Sequence, residues 1–225
     1  MNMENKIDIP HTEREVFNKT FLYSVGLVVR FEKDNQMISK LNDFTKVLQS
    51  LGWNVSEHTE LGNQYLKGKS TLLISQDRLL ISMSKNEYHS FEDVESIFDR
   101  LSLLLQDCKP VQILLMKTNH FKIMPEKSHG KDWLMNLLLS DQYRANTILG
   151  TDDIFCSPEK SIQEFSTIHS LKKDESELLQ IIFTSLKNKD FTTLKSDLRI
   201  MNDYLYDFWR WSFSNTVIDL MRNLK

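Results

Sequence analysis

The densest apolar pattern of the chain lies between Leu194 and Leu224. Leu194, Leu198, Met201, Leu205, Phe208, Trp209, Phe213, Val217, Leu220 and Leu224 recur at helical spacing and mark one wide stripe. Ile200, Tyr204, Trp211 and Ile218 form a second stripe beside it. A helix apolar on two sides needs cover on two sides, either from a central place in the domain or from a partner. Ser212-Phe213-Ser214-Asn215-Thr216 is rich in capping types. That predicts a bend or restart there, with Ser214 as the new N-cap.

A period of two appears at the other end. Tyr23, Val25, Leu27, Val29 and Phe31 alternate with Ser24, Gly26, Val28, Arg30 and Glu32. This predicts a strand that buries its odd-numbered side chains. Asn35 is placed to cap a helix carrying Ile38, Leu41, Phe44, Leu48 and Leu51, with Gly52 as its stop. Trp53 to Ser84 reads as antiparallel strands, and Thr71–Ile74 and Leu79–Met83 form a hairpin across a short polar connection. Ser90 and Asp93 are a capping-box signature ahead of Val94, Ile97, Phe98, Leu101, Leu104 and Leu105. Pro110 ends that helix, because the residue before a proline disfavours the helical region.

Val111, Ile113 and Leu115 open another strand that extends to Phe121 and Ile123. Trp133 to Leu139 fits either strand or helix, and residues 140–170 show no clear period. Asp174 is placed to cap a helix holding Leu178, Ile181, Ile182 and Leu186. The order lacks the regular strand–helix alternation of a doubly wound parallel sheet. The expected class is α+β: a mainly antiparallel sheet packed with helices, and a helical C-terminal part. Residues 1–171 would form the sheet domain, and 172–225 a helical region packed on it within one domain.

Composition narrows the function classes. Forty per cent hydrophobic residues, with 13 Phe, 6 Tyr and 4 Trp among 225, suffice for a sizeable core. A net charge of −3 gives no global attraction to nucleic acid or anionic lipid. Two cysteines, Cys108 and Cys156, make no disulfide framework and point to a reducing compartment. The N-terminus has no apolar core of a secretory signal, and no apolar run reaches the roughly 18 residues of a membrane span. A cytoplasmic protein is expected, with no membrane association.

Catalytic signatures are sparse. The histidines at 11, 58, 89, 120, 129 and 169 form no His-x-x-x-His pair, and no Cys-x-x-Cys occurs. Cys108 follows Asp107 at a helix end, where the dipole disfavours thiolate. His129-Gly130-Lys131-Asp132 has too few glycines for a phosphate loop. No catalytic, cofactor-binding or metal-binding residue is therefore assigned, and no cofactor is expected. An enzyme would have to be assembled from scattered residues such as His120, His129, Asp152 and Asp153.

Two binding candidates remain. Residues 109–131 hold five lysines against one glutamate, whereas 85–107 hold two basic against six acidic residues. Lys117, Lys122, Lys127 and Lys131 are thus the candidate nucleic-acid contacts, although the stretch has no arginine and only Phe121 for stacking. Tyr206, Arg210 and Trp211 miss the main stripe of the last helix and belong to the types that dominate interface hot spots. They are the candidate contacts for a protein partner or a second copy. The leading expectation is a protein-interaction component without catalysis of its own. A nucleic-acid-binding component and an unrecognised enzyme are the alternatives.

The chain also resembles a sporadically distributed family of uncharacterised bacterial proteins. The resemblance lies in Val25-Gly26-Leu27-Val28-Val29-Arg30-Phe31-Glu32 and in the closing region from Leu194 to Val217. Length and element order fit as well. Where that family carries Arg-Tyr and Asn-Arg pairs on its middle strand, this chain has Lys117-Thr118-Asn119-His120. The family brings no established activity. Its patchy distribution implies an accessory bacterial system, such as phage defence or toxin control.

Overall fold

The computed structural model describes residues 9–15, 17, 20–32, 36–59, 62–123, 131–146, 154–157, 162–173 and 176–223. The protein is α+β, with a mainly antiparallel sheet and a helical C-terminal part. It divides into two compact units, Ser24–Met116 with Leu186–Ile200, and the described residues of 1–23, 117–185 and 201–225.

The first unit holds β1 (Leu22–Phe31), α1 (Gln36–Ser39), α2 (Leu41–Ser50), β2 (Asn54–Thr59), β3 (Gly62–Lys67), β4 (Ser70–Ser75), β5 (Arg78–Ser84), α3 (Phe91–Leu105) and the start of β6 (Pro110–Ile123). Its strand order is β2-β3-β4-β5-β1-β6. Alternation sets the register: Val25, Leu27, Val29 and Phe31 are buried, and Leu27 lies opposite Ile81 of β5. Tyr23 departs from the pattern and is 50% exposed. The expected hairpin is β4–β5, with Gln76 and Asp77 between the strands. Asp93 accepts the Ser90 backbone N–H at 3.1 Å and completes the capping box of α3. The single helix expected before Gly52 is two, because Lys40 forms a turn between α1 and α2. Asn35, its expected cap, lies outside the described residues. Gly52 does follow α2, at φ +83°, a left-handed conformation that suits glycine.

Three ion pairs tie the opening of α6 (Leu194–Ser212) into this unit. Lys187 and Asp197 are 4% and 0% exposed and meet at 2.6 Å. Thr192 donates to Asp197 through its backbone N–H and its hydroxyl, at 3.0 and 2.9 Å. Arg199 pairs with buried Glu95 of α3, and Lys195 reaches Asp99 at 2.7 Å.

The second unit has strand order β6-β9-β8-β7, with β7 Ile154–Ser157, β8 Ile162–Lys173 and β9 Ser176–Lys187. The helix expected after Asp174 is strand β9. Leu178-Leu179-Gln180-Ile181-Ile182-Phe183 satisfies both periods, but Leu179, Ile181 and Phe183 are the buried set, which is the strand's alternation. Pairing with β6 and β8 decides between them, and the C-terminal helical run starts at Leu194. Residues 131–138 form helix α4, and Asp141–Asn146 form α5.

The break in the last stretch is present. α6 ends at Ser212, α7 spans Asn215–Asn223, and the Ser214 hydroxyl accepts the Val217 N–H at 3.4 Å. Phe213 bridges to Leu139 between the helices. Phe183, Phe208, Phe213 and Trp209 make edge-on ring contacts 5.4–5.6 Å apart at the centre of this unit. Trp209 is 7% exposed and donates its indole N–H to buried Asn119 at 3.4 Å. Among the described residues, no helix is long and apolar enough to cross a membrane.

Candidate functional site

Helix α6 places Tyr206, Arg210 and Trp211 in three different environments, all within the second unit. An N-terminal strap, residues 9–15, covers Tyr206. The Tyr206 hydroxyl accepts the Glu15 backbone N–H at 2.9 Å, and the Arg14 guanidinium lies 5.5 Å from its ring centre. Asp207 accepts from the Thr12 backbone N–H at 2.9 Å and pairs with the His11 ring at 3.0 Å. Arg14 pairs with Asp203, and Glu15 with Arg222 of α7 at 2.6 and 2.7 Å. Tyr206 thus spends its polar end inside its own chain.

Trp211 is half-buried, edge-on to Tyr143 at 6.0 Å and stacked near Phe208 at 6.3 Å. Arg210 is half-buried too. Its Nε is buried and has no hydrogen-bond partner among the described residues. Both line a cavity of about 610 Å³, together with Thr12 of the strap, Asn136 of α4, Arg144 of α5 and Thr216 of α7. Arg144 donates to Asn136 at 2.8 Å and pairs with Asp141, yet its Nε is also buried and unbonded among the described residues. A buried N–H left without a partner costs about 1–3 kcal/mol. Both Nε atoms are closed to solvent, but Arg210 makes no hydrogen bond or ion pair among the described residues, which leaves the rest of its guanidinium uncommitted.

Electrostatics around the strap follow from these contacts. The hydrogen bond and charge of Asp207 raise the His11 pKa. The hydrogen bond from Arg222 lowers that of Glu15. On β8, burial raises the pKa of Glu164 to about 8, although the Ser185 hydroxyl donates to it at 3.4 Å.

Of the four lysine candidates, only Lys117 has a described side chain. Lys117 is half-buried by area, but its ammonium is desolvated, and that lowers its pKa to about 7 with Arg14 pushing the same way. Lys122 belongs to β6 and Lys131 opens α4, but their side chains, and the whole of Lys127, lie outside the described residues. His120 stacks on Tyr23 at 3.9 Å and sits 2.8 Å from the Gln180 amide. His129, Asp152 and Asp153 lie outside the described residues. Among the described residues, no three His, Cys, Asp or Glu side chains gather to hold a metal ion.

Three groups escaped the sequence reading: Arg144, Glu164 and the His11–Asp207 latch. Arg144 had a local signal, since Asp141 stands three residues before it on a helix. Glu164 sits between Ile162 and Ser166 on the buried face of β8, and an acid facing inward breaks the very alternation that would have revealed the strand. The latch joins residues 196 apart and leaves no local trace.

No protein-family model matches the chain, and no curated protein matches it. Among solved structures, the chain is similar to the ligand-free regulatory subunit of aspartate kinase from Thermus thermophilus. The two share 11% identity over 72% of this chain and 83% of that one, with a TM-score of 0.23. A likeness at that score carries nothing across to this chain.

Proposed function

We propose that this protein is a binding component without catalysis of its own, acting through a protein partner on its Arg210–Trp211 face. The single observation that supports the reading is Arg210, half-buried and without a hydrogen bond or ion pair among the described residues, which lines a cavity together with half-buried Trp211. Arginine and tryptophan give large contact area and directional donors, which is why they recur as interface anchors. The setting follows from the family resemblance: an accessory bacterial system, such as phage defence or toxin control, in the cytoplasm. A nucleic-acid role draws less from Lys117, because an amine with a pKa of about 7 is only partly charged at neutral pH.

The test is capture of the partner from an extract of the native host, with light scattering to detect self-association. Arg210→Ala should weaken the captured or self-associated complex while leaving the unfolding midpoint nearly unchanged. Loss of folding with no change in assembly would return Arg210 to an ordinary structural role.

A further inference from the structure

We propose that the cavity beside Arg210 receives the side-chain carboxylates of an acidic segment of the partner chain, an inference that rests on the interaction reading above. Arg210 and Arg144 both line the cavity, and Arg210 makes no hydrogen bond or ion pair among the described residues, so its guanidinium is uncommitted. The carboxylates already nearby are committed elsewhere. Glu15 feels the charge of Arg210, but its two oxygens are held by Arg222 at 2.6 and 2.7 Å. Asp141 pairs with Arg144, and its side chain is 92% exposed.

The charged side chains lining the cavity are thus two arginines against one aspartate, which leaves one positive charge. That balance fits a monoanionic carboxylate better than a phosphate dianion. The planar guanidinium fork matches a carboxylate's two oxygens. Trp211 and Leu137 offer apolar walls for the methylene stem of a glutamate. The first residues of nine-residue α7, Asn215 and Thr216, line the same space, and their helix end adds partial positive charge. The volume falls within the range of about 300–1,000 Å³ common to ligand pockets.

Fluorescence anisotropy with a labelled peptide of alternating glutamate and leucine tests this on the full chain, against a matched glutamine–leucine peptide. The glutamate peptide should bind at least about tenfold more tightly, a difference that one lost charged anchor readily produces. Arg210→Met should remove about tenfold or more of that affinity, and Arg144→Met less. Arg210→Lys should restore only part, since an ammonium cannot form the fork. Far-UV spectra and urea midpoints confirm that each variant is folded.

Equal binding of the two peptides, indifference to Arg210→Met, or no binding by folded wild-type protein would overturn the inference. So would inorganic phosphate that binds more tightly than the peptide with the same arginine dependence, which would make this a small-anion site. A native partner captured through Trp211 but indifferent to Arg210→Met would leave the interaction reading standing and sink the acidic segment alone. Arginine-dependent binding of the glutamate peptide with no native partner captured would support the cavity's chemistry and count against the interaction reading.

Discussion

In the unit formed by 24–116 and 186–200, Lys187 and Asp197 are both buried, and each meets the other with Thr192 adding two bonds. In the unit containing 117–185 and 201–223, Asn202 is just as buried, and its Oδ1 has no partner among the described residues. The contrast extends further. Glu95 has Arg199, and Asn63 has the hydroxyls of Thr45 and Tyr65, whereas Glu164 has a long bond from Ser185, and Arg210 Nε has no partner among the described residues. Among the described residues, the buried and unbonded Ser84 hydroxyl is the first unit's exception. Buried polar groups in the first unit fix the shape of the chain. In the second, Asp207 and Asn119 are paired too, but Glu164, Asn202 and Arg210 leave capacity for a proton or a ligand, and for that reason the candidate site is placed there.

The largest expected effect breaks the paired side of this contrast. Asp197→Ala leaves the Lys187 ammonium buried without its partner and should cost about 3–5 kcal/mol, read from urea unfolding. A loss below about 1 kcal/mol would show that water or rearrangement replaces the carboxylate.

Next come the titrations of the second unit. Glu164 titrates near 4.5 when unfolded and at about 8 when folded. Between those values the folded state holds the extra proton, so stability falls as pH rises. Lys117 is depressed from 10.5 to about 7, so above about 7 the unfolded state holds the extra proton and stability rises toward 10.5. Urea midpoints from pH 5 to 10 should therefore pass through a trough near pH 7–8. Glu164→Gln should remove the falling limb and stabilise the protein at pH 8 by up to a few kcal/mol. A flat profile in wild type would mean that the carboxyl is hydrated.

Asn202→Leu sharpens the contrast in the opposite direction. Removing an unpaired buried carbonyl should leave stability unchanged or raise it by about 1 kcal/mol. A clear loss would reveal a partner for that oxygen.

The smallest effect concerns the latch. The His11 pKa is raised, so its contribution is fully present below 6.5 and is lost as pH rises through the folded value. His11→Ala should speed amide hydrogen exchange at Thr12 and Glu15 at pH 6 and change it little at pH 9. Identical exchange at both values would show that the other fastenings, Thr12–Asp207, Glu15–Tyr206, Arg14–Asp203 and Glu15–Arg222, hold the strap without His11.

The first unit was legible because its strands alternate cleanly and its turns are local. The odd positions of β1, the β4–β5 hairpin and the capping box of α3 all follow from residues within a few positions of one another. The second unit was not, for two physical reasons. In β9 the doubled Leu178-Leu179 and Ile181-Ile182 suit helix and strand alike, and only neighbouring strands choose. In β8 the buried face carries Glu164 and Ser166 where apolar residues would have marked it. Of the site, Arg210 and Trp211 were visible as residues that miss the main stripe. The cavity was not, since Arg144 and Thr12 reach it from distant parts of the sequence. Tyr206 looked equally available, and the strap that occupies it joins residues about 190 positions apart.

The strap also has a consequence for how the protein is made. Its fastenings span 189 to 207 residues, from Arg14–Asp203 to Glu15–Arg222. On the ribosome, the early residues must wait for the late ones. At about 5–20 residues per second, that wait is roughly 10–40 s. Thr12 and Pro10 form one wall of the cavity, so the cavity is closed only after synthesis has passed Arg222. A nascent chain would present its earlier hairpins well before it could bind anything there. Competence to bind would then arrive as one of the last events of the polypeptide's production.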